Sequence, residues 1–254
     1  MNAFIYAAGR ATRLGPGYQN RPKLLIEFGG RSLLEWHVIR LQEVGVRRVR
    51  VITGYLQPIM QAAISELAAR YPVDIEEIFN PDFQEGSVLS MAVSLPQVET
   101  CKRFALLLDG DVLYGTEMLS RLIHSPHRTA LLVDRGYSAA DDDPVLVPIN
   151  AGRPFDFAKR WRGEADQLGE SVGFFKLDQE DIPALVAETR SRETGAGRMD
   201  SYDEVIRALV RKGLFGHEDV TGLPWTEIDF PEDVRYANEK VLPALLGAAA
   251  PSKC

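Results

Sequence analysis

The sequence predicts an α/β fold of Rossmann-like type, in which a mostly parallel mixed sheet is flanked by helices. Short apolar runs alternate with longer segments of helical spacing through the first half of the 254-residue chain. A content of 45% hydrophobic and 26% charged residues is ordinary for a globular protein with one sizeable core. We therefore expect one domain over residues 1–246, followed by a flexible tail at 247–254.

The elements of the first half follow from local patterns. The apolar run from Phe4 to Ala8 predicts a buried strand at 3–8. Ser32 and Glu35 have the spacing of a capping box, and the apolar positions that follow lie on one face of a helix that Gly45 ends. Further strands are predicted at 48–53, 74–79 and 104–109, and a further helix at 56–70.

Past residue 130 the apolar runs become shorter and are separated by Asp-rich and Gly-rich loops. Strands are expected at 130–134, 144–149 and 171–177, and helices at about 179–191, 202–212 and 231–246. The chain shows no internal repeat. The second half is therefore expected to complete the same domain.

Charge and cysteine content exclude several classes of protein. A formal net charge of -7 argues against a duplex nucleic-acid partner, because binding to phosphate backbones needs a concentrated basic face. With only Cys101 and Cys254 present, no disulfide framework is indicated and a reducing compartment is favoured. No stretch reaches the roughly 18 apolar residues of a membrane span. We expect a cytoplasmic protein without nucleic-acid partner or membrane insertion.

The loop after the first strand has the composition of a phosphate-binding loop. The small residues Ala7, Ala8 and Gly9 let backbone N–H groups approach a ligand closely. Arg13 supplies a planar fork and Lys23 a point charge, a pair that suits a polyphosphate whose charge moves during a reaction. The alternative is a surface loop with solvated bases, since short glycine motifs also occur by chance.

Two carboxylates follow another buried strand. Asp109 and Asp111 end the apolar run that starts at Phe104, at the edge where open α/β sheets bind their ligands. Their spacing of two puts both on one face of the strand. Hard cations such as Mg²⁺ prefer carboxylate oxygens, whereas the alternative is a solvated Asp-Gly-Asp turn.

Together these motifs resemble the nucleotidyltransferases that join a nucleoside triphosphate to a phosphorylated small molecule. The AAGRATRL segment at 7–14, the PKLL segment at 22–25 and the strand-end acids occur in that family's order, although Ala11 stands where a second glycine often lies. The resemblance implies a GT-A-like fold. It further implies a nucleotide-binding half at about 1–125 and an acceptor-binding half at about 126–246.

The resemblance also implies roles for individual residues. The family places a metal-binding Asp before a Pro-Glu-Asp helix start, and Asp229 matches it, although Asp229 is equally placed to cap that helix. Mg²⁺ on Asp111 and Asp229 would bridge the α-phosphate and leaving oxygens. Arg13 would grip the β- and γ-phosphates, and Lys23 would offset charge on the α-phosphate and the acceptor. The nucleotide-binding candidates are Ala7, Ala8, Gly9, Arg10, Thr12, Asn80, Gly86, Ser87 and Asp109.

The base and the acceptor are inferred from two further segments. Residues 79–90 resemble the choline-phosphate and inositol-phosphate cytidylyltransferases, which favours CTP, although Ser87 is also placed to cap the next helix. Glu170, Trp161, Tyr202 and Asp203, with the acidic run at 141–143, are candidates for a cage around a cationic head group. The alternative is that these are ordinary solvated or packed side chains.

The sequence thus predicts a Mg²⁺-dependent enzyme that transfers CMP from CTP to a phosphocholine-like phosphate or phosphonate and releases pyrophosphate. An inositol-phosphate or sugar-phosphate nucleotidyltransferase is the first alternative. A glycosyltransferase of similar topology is disfavoured by Arg13 and Lys23, since a nucleotide sugar has no γ-phosphate to grip. A catalytically silent nucleotide-binding regulatory subunit is the alternative from another class. The expected partners are CTP and the acceptor, and a homodimer is left open.

Overall fold

The computed structural model describes residues 1–18, 20–136 and 144–247. Its strands are β1 (Asn2–Tyr6), β2 (Glu27–Phe28), β3 (Arg31–Ser32), β4 (Arg48–Thr53), β5 (Asp74–Phe79), β6 (Phe104–Asp109), β7 (Val112–Tyr114), β8 (Thr129–Asp134), β9 (Val145–Asn150), β10 (Arg153–Pro154), β11 (Ala158–Lys159), β12 (Gln167–Asp178), β13 (Phe215–Asp219) and β14 (Trp225–Glu227). Its α-helices are α1 (Leu33–Glu43), α2 (Gln57–Arg70), α3 (Val88–Val98), α4 (Thr116–His124), α5 (Ile182–Arg190), α6 (Tyr202–Arg211), α7 (Pro231–Tyr236) and α8 (Leu242–Gly247).

The central sheet changes character between the two halves of the chain. Its strands run in the order β10-β9-β12-β6-β1-β4-β5. The pairs that join β6, β1, β4 and β5 are parallel, whereas β12 pairs antiparallel with β6, β8 and β9. The predicted Rossmann-like mixed sheet is therefore confirmed. Its parallel part puts the carboxyl ends of β1 and β6 at the same edge.

Helices cover both faces of the sheet, as the alternation of buried side chains along each strand requires. Ile5 and Leu108 face the apolar cluster formed with α1, α2 and α4. Phe4 and Leu107 face the opposite cluster, formed with α3, α5 and α6. A third cluster joins the loop after β1 to the β2–β3 hairpin and the C-terminal helices. This third cluster packs beneath the segments that carry Arg13, Lys23 and Asp229.

The predicted elements agree best with the structure where a continuous run of residues carries the signal. The strands at 48–53, 74–79 and 104–109 and the helix at 56–70 are confirmed to within one residue. The helix expected at 231–246 is interrupted by a π-helical segment, Ala237–Val241. Elements that the sequence analysis did not predict include α4, β13 and the short strands β2, β3, β7, β10 and β11.

The capping box at α1 forms only in part. The Oγ of Ser32 accepts the Glu35 amide at 3.1 Å, as predicted. The Glu35 carboxylate accepts the hydroxyl of Tyr71 at 2.6 Å and lies 3.4 Å from Arg70, so it serves tertiary packing instead. The tail at 248–254 lies outside the described residues. Among the described helices, none has the length and apolar character needed to cross a bilayer.

Candidate active site

The candidate site begins where β1 and β6 end side by side. Tyr6 and Asp109 are register partners, and the Gly110 amide donates to the Tyr6 carbonyl at 3.0 Å. A Cβ at Gly110 would lie 2.8 Å from both that oxygen and a methyl carbon of Leu24. Only glycine therefore lets the two loops approach this closely.

Lys23 joins the two predicted metal ligands. Its Nζ donates to Asp111 Oδ2 at 2.9 Å and to Asp229 Oδ1 at 2.5 Å. The three side chains are only 14–25% exposed. Burial of the ammonium group opposes protonation, but the carboxylates of Asp111 and Asp229 outweigh it and raise the pKa of Lys23 above its ordinary value. Lys23 therefore remains a cation at neutral pH.

Arg13 reaches the same carboxylate from the loop after β1. Its Nη2 lies 2.7 Å from Asp229 Oδ2, its guanidinium stacks 5.4 Å from the Phe230 ring, and it is half exposed. The loop turns at Ala11, whose φ of 53° lies in the left-handed region that favours glycine. Ala11, which stands where the family often has a second glycine, therefore adopts the backbone conformation that a glycine would favour.

Buried neighbours fix each of these charged side chains. Leu14, Leu24 and Ile228 lie next to Arg13, Lys23 and Asp229 in sequence, and each is at most 3% exposed. The Ile228 amide also donates to the Asp111 carbonyl at 2.8 Å, alongside the pairing of β14 with β7. Four separate segments of the chain are thereby held at one point.

A third carboxylate completes an acidic group around Lys23. One carboxylate oxygen from each of Asp111, Glu227 and Asp229 lies within 4.8 Å of the others. Desolvation of the Glu227 carboxyl, together with the charges of Asp111 and Asp229, raises the pKa of Glu227 well above its ordinary value. Such an all-oxygen set is what Mg²⁺ prefers, and Lys23 already places a positive charge there. The residues therefore fit a divalent cation.

The structure decides the competing explanation for Asp229. Helix α7 has Phe230 as its N-cap residue, and Asp233 accepts the amides of Asp229 and Phe230 at 2.9 and 2.7 Å. The capping contact thus comes from Asp233. The alternative that Asp229 caps this helix is wrong, and its carboxylate is committed to Lys23 and Arg13.

Asp109 is half-buried beside the acidic group. The hydroxyl of Tyr202 donates to its Oδ1, and the Tyr202 ring stacks on Tyr6 with centroids 5.6 Å apart. Burial and then the charge of Asp111 raise the pKa of Asp109 well above its ordinary value. Gly173, at φ 76° in a bulge of β12, would place a Cβ 1.9 Å from Asp109 Oδ2. Sequence reasoning missed Gly173, although a glycine inside a strand pattern is a known signal of a bulge.

The candidates after β5 have protein partners in this structure. Asn80 is 1% exposed; its side chain accepts the Asp82 amide at 2.9 Å and donates to Ser90 at 3.0 Å. The Gly86 amide donates to the Arg198 carbonyl at 2.8 Å. Ser87 is the N-cap residue of α3, but its side chain makes no capping bond and accepts the Tyr202 amide at 3.0 Å. The close approach that Gly86 permits is therefore to another part of the chain.

The small residues of the loop after β1 lie along the same edge. Ala7 continues β1 by donating to the Ile52 carbonyl at 2.9 Å, and the Ala8 carbonyl accepts the Tyr55 amide at 3.1 Å. Gly9 has open space around its Cα, and Thr12 begins a short 3-10 helix. The guanidinium of exposed Arg10 stacks 5.5 and 5.8 Å from the rings of Tyr55 and Phe83, two neighbours that sequence reasoning did not identify.

The acceptor-side candidates divide into two groups. Glu170 interacts electrostatically with Glu227, and Asp203 with Asp109, so both lie toward the acidic group. Tyr202 contacts Asp109 directly. The ring of Trp161 instead packs edge-on against Phe155 at 6.0 Å, next to the outer strands β10 and β11. The predicted run at 141–143 lies outside the described residues.

Comparison with known proteins gives matches over nearly the whole chain. Residues 3–193 match the family model described as the MobA-like NTP transferase domain. The chain is 28% identical over 242 residues to the "Bifunctional IPC transferase and DIPP synthase" of Thermococcus kodakarensis, which covers 94% of this chain and 50% of that protein. It is 29% identical over 267 residues to the "CMP-5'-(3-aminopropyl)phosphonate synthase" of Streptomyces rubellomurinus, which covers 96% of this chain and 39% of that protein.

A solved structure extends the match to the entire chain. The inositol-1-phosphate CTP transferase from T. maritima superposes with a TM-score of 0.77, covering 100% of this chain and 98% of that one at 21% identity. At this identity the superposition establishes the GT-A-like nucleotidyltransferase fold and nothing further. The chain spans about half the length of the Thermococcus relative.

Proposed function

Because the chain belongs to the MobA-like NTP transferase family, we propose that it transfers CMP from CTP to the phosphate or phosphonate of a small acceptor. An acceptor oxygen would attack the α-phosphorus in line. The new O–P bond would form as the bond to the leaving oxygen of pyrophosphate breaks. A phosphate acceptor is already ionised at neutral pH, so the reaction needs no general base and rests on positioning and charge stabilisation.

The position of Lys23 carries this proposal. Its ammonium group lies within 3 Å of carboxylates from two distant segments, at Asp111 and Asp229, and Arg13 reaches the second of them. The polyphosphate of a nucleotide requires cations, and a bound metal ion requires acids. A site that supplies both at the end of β1 suits transfer of a nucleotidyl group better than binding of an uncharged ligand.

Each side chain would have a separate task. Arg13, on the exposed side, would bind the β- and γ-phosphates, and Lys23 would offset charge on the α-phosphate and the incoming acceptor oxygen. Asp111 and Asp229, with Glu227 beside them, would hold Mg²⁺. When bound, Mg²⁺ supplies a Lewis acid that stabilises charge on the transferred phosphoryl group. The loop from Ala7 to Thr12 would contact the nucleotide.

For the acceptor we favour a phosphate or phosphonate with a cationic group, such as phosphocholine. Glu170 and Asp203 lie toward the acidic group from the second half of the chain, and Tyr202 offers an aromatic ring there. The name of the Streptomyces relative contains an aminoalkyl phosphonate, which agrees with this choice. A polyol phosphate is the second candidate, because one solved structure that matches the full chain is that of an inositol-1-phosphate CTP transferase.

A substrate matrix tests the proposal. Pyrophosphate release is measured with CTP, UTP, ATP and GTP against phosphocholine, 2-aminoethylphosphonate, inositol 1-phosphate and glucose 1-phosphate, with and without Mg²⁺. We expect release only with CTP, Mg²⁺ and a cationic acceptor. Preference for inositol 1-phosphate would show that the acceptor is a polyol phosphate and not a cationic one. Preference for UTP would show that the enzyme transfers UMP and not CMP. Release in none of the combinations would contradict the enzymatic function.

A further inference from the structure

We propose that Arg198 is a positioning residue that couples the nucleotide side of the site to the acceptor side. It belongs to residues 195–201, here called the strap, which lie between α5 and α6. The strap is fastened to the loop at 80–88 and leads directly into Tyr202. The inference rests on the proposed function only for the names of the two substrates.

The side chain of Arg198 makes the fastening contact. Its Nε and Nη2 donate to the two carboxylate oxygens of Glu85, both at 2.7 Å, and Nη2 also donates to Asp82 at 3.2 Å. A forked arginine–carboxylate pair of this kind fixes orientation as well as distance. Glu85 and Asp82 belong to the segment in which the base-binding candidates lie.

The backbone of the strap is bonded to the same loop. The carbonyls of Arg198 and Asp200 accept the amides of Gly86 and Val88 at 2.8 and 3.1 Å. A Cβ at Gly86 would lie 2.2 Å from the Asp200 carbonyl, so the contact leaves no room for any other residue. On its other side the strap is held by Arg192, which donates to Asp200 at 2.6 Å.

The strap ends at the residues that face the acidic group. Tyr202 begins α6, its amide donates to Ser87, and its hydroxyl donates to Asp109. Asp203 follows it and accepts the Ser201 hydroxyl at 2.8 Å. A change in the loop at 80–88 would therefore reach Tyr202 and Asp203 through the strap and through the Ser87 contact.

The contact suits a positioning role better than a role in global stability. Arg198 is one-third exposed and Met199 is 67% exposed, so the strap lies on the surface. Surface ion pairs contribute little to the free energy of unfolding. Loss of the Arg198 side chain should therefore loosen the strap while leaving the fold intact.

The test compares Arg198→Met with Arg190→Met. Arg190 is also an exposed arginine near the strap, and it pairs with Glu99 at 3.3 Å. In hydrogen exchange without substrates, we expect the amides of Gly86, Val88 and Tyr202 to exchange at least about 10-fold faster in Arg198→Met, with no change in Arg190→Met. We expect the acceptor KM to rise about 10-fold in Arg198→Met and the CTP KM to rise with it, because the loop at 80–88 is loosened as well, with kcat within about 2-fold and the Tm unchanged.

Three results would overturn the inference. Unchanged exchange in Arg198→Met would show that Arg198 does not hold the strap. Faster exchange with an unchanged acceptor KM would show that the strap does not position the acceptor site. If Arg190→Met changed exchange and the acceptor KM as much as Arg198→Met does, the Arg198 contact would have no specific role. Because exchange is measured without substrates, failure of the proposed function leaves that result intact and distinguishable.

Discussion

Two clusters of charged side chains in this chain are built in opposite ways. The first surrounds Asp156, whose two oxygens accept four hydrogen bonds from Arg207 and Arg211 at 2.8 to 3.1 Å. Burial opposes ionisation, but these hydrogen bonds hold the pKa of Asp156 below its ordinary value. Cations outnumber the single acid, so its charge is fully compensated. This cluster fastens the segment after β10 to α6.

In the cluster around Lys23 the acids outnumber the cations. Three carboxylates from Asp111, Glu227 and Asp229 lie close together, and Lys23 and Arg13 compensate only part of their charge. Like charges held at this distance repel one another, so added positive charge is favoured there. A cluster whose acid is fully compensated is expected to stabilise the fold, whereas an excess of acid is the arrangement that the proposed Mg²⁺ site requires.

The largest expected effect tests the excess of acid directly. Asp111→Asn and Asp229→Asn should each reduce Mg²⁺-dependent turnover by at least about 10³-fold, because an amide keeps the shape but loses the charge that holds the cation. The Tm should also fall, since the mostly buried Lys23 loses a charged partner in each variant. Calorimetry with Mg²⁺ and CTP measures the lost binding. A fall in Tm with unchanged turnover would make this cluster structural.

Removal of Lys23 should have the next largest effect. Lys23→Ala is expected to lower kcat by about 10²–10³-fold, because the cation that offsets transition-state charge is lost. Lys212→Ala is the matched control, since Lys212 also donates to a carboxylate, Glu188 at 3.0 Å, on a remote surface. Thermal unfolding should show both variants folded. Full activity of a folded Lys23→Ala protein would refute the role.

A change in the compensated cluster around Asp156 should instead lower the stability of the fold. Asp156→Asn is expected to cost about 2 kcal/mol of unfolding free energy, since two guanidinium groups lose their charged partner and both are partly exposed. This corresponds to a Tm lower by roughly 4–8 °C at unchanged kcat. Asp74→Asn is the control, because exposed Asp74 also pairs with two arginines, Arg48 and Arg50. Equal Tm losses in both variants would show that burial does not matter here.

A change at Asp233 should affect both stability and activity, because its carboxylate holds the backbone next to Asp229 and not the charged side chains themselves. Asp233→Ala removes the acceptor for the amides of Asp229 and Phe230, and should cost about 1 kcal/mol together with a moderate loss of kcat. Asp233→Asn keeps an acceptor oxygen and should be mild in both respects. Urea unfolding and steady-state kinetics measure the two quantities. If Asp233→Asn lowers stability and kcat as much as Asp233→Ala does, the charge of Asp233 matters rather than its hydrogen bonds to the backbone.

The sequence predicted what local patterns determine. Continuous apolar runs predicted β4, β5 and β6, and the loop composition singled out Arg13 and Lys23, which the structure places against Asp229 and Asp111. The bulge at Gly173 and the attachment of Gly86 to Arg198 depend on contacts between residues far apart in the chain. No local periodicity encodes such contacts, which explains why these positions were missed or assigned a different partner.

The smallest expected effect tests whether the strained backbone at Ala11 contributes to activity in addition to the excess of carboxylates. Ala11 and Ala151 both have left-handed backbones, with φ of 53° and 48°, but only Ala11 lies in the loop that carries Arg13. Replacement by glycine relieves about 1 kcal/mol of steric cost in each case, and the greater freedom of the unfolded chain offsets about half of it. Ala11→Gly and Ala151→Gly should therefore each raise the Tm by roughly 1–2 °C. If activity depends on the excess of carboxylates alone, kcat will be unchanged in both variants. A lower kcat in Ala11→Gly alone would show that the strained turn also positions Arg13.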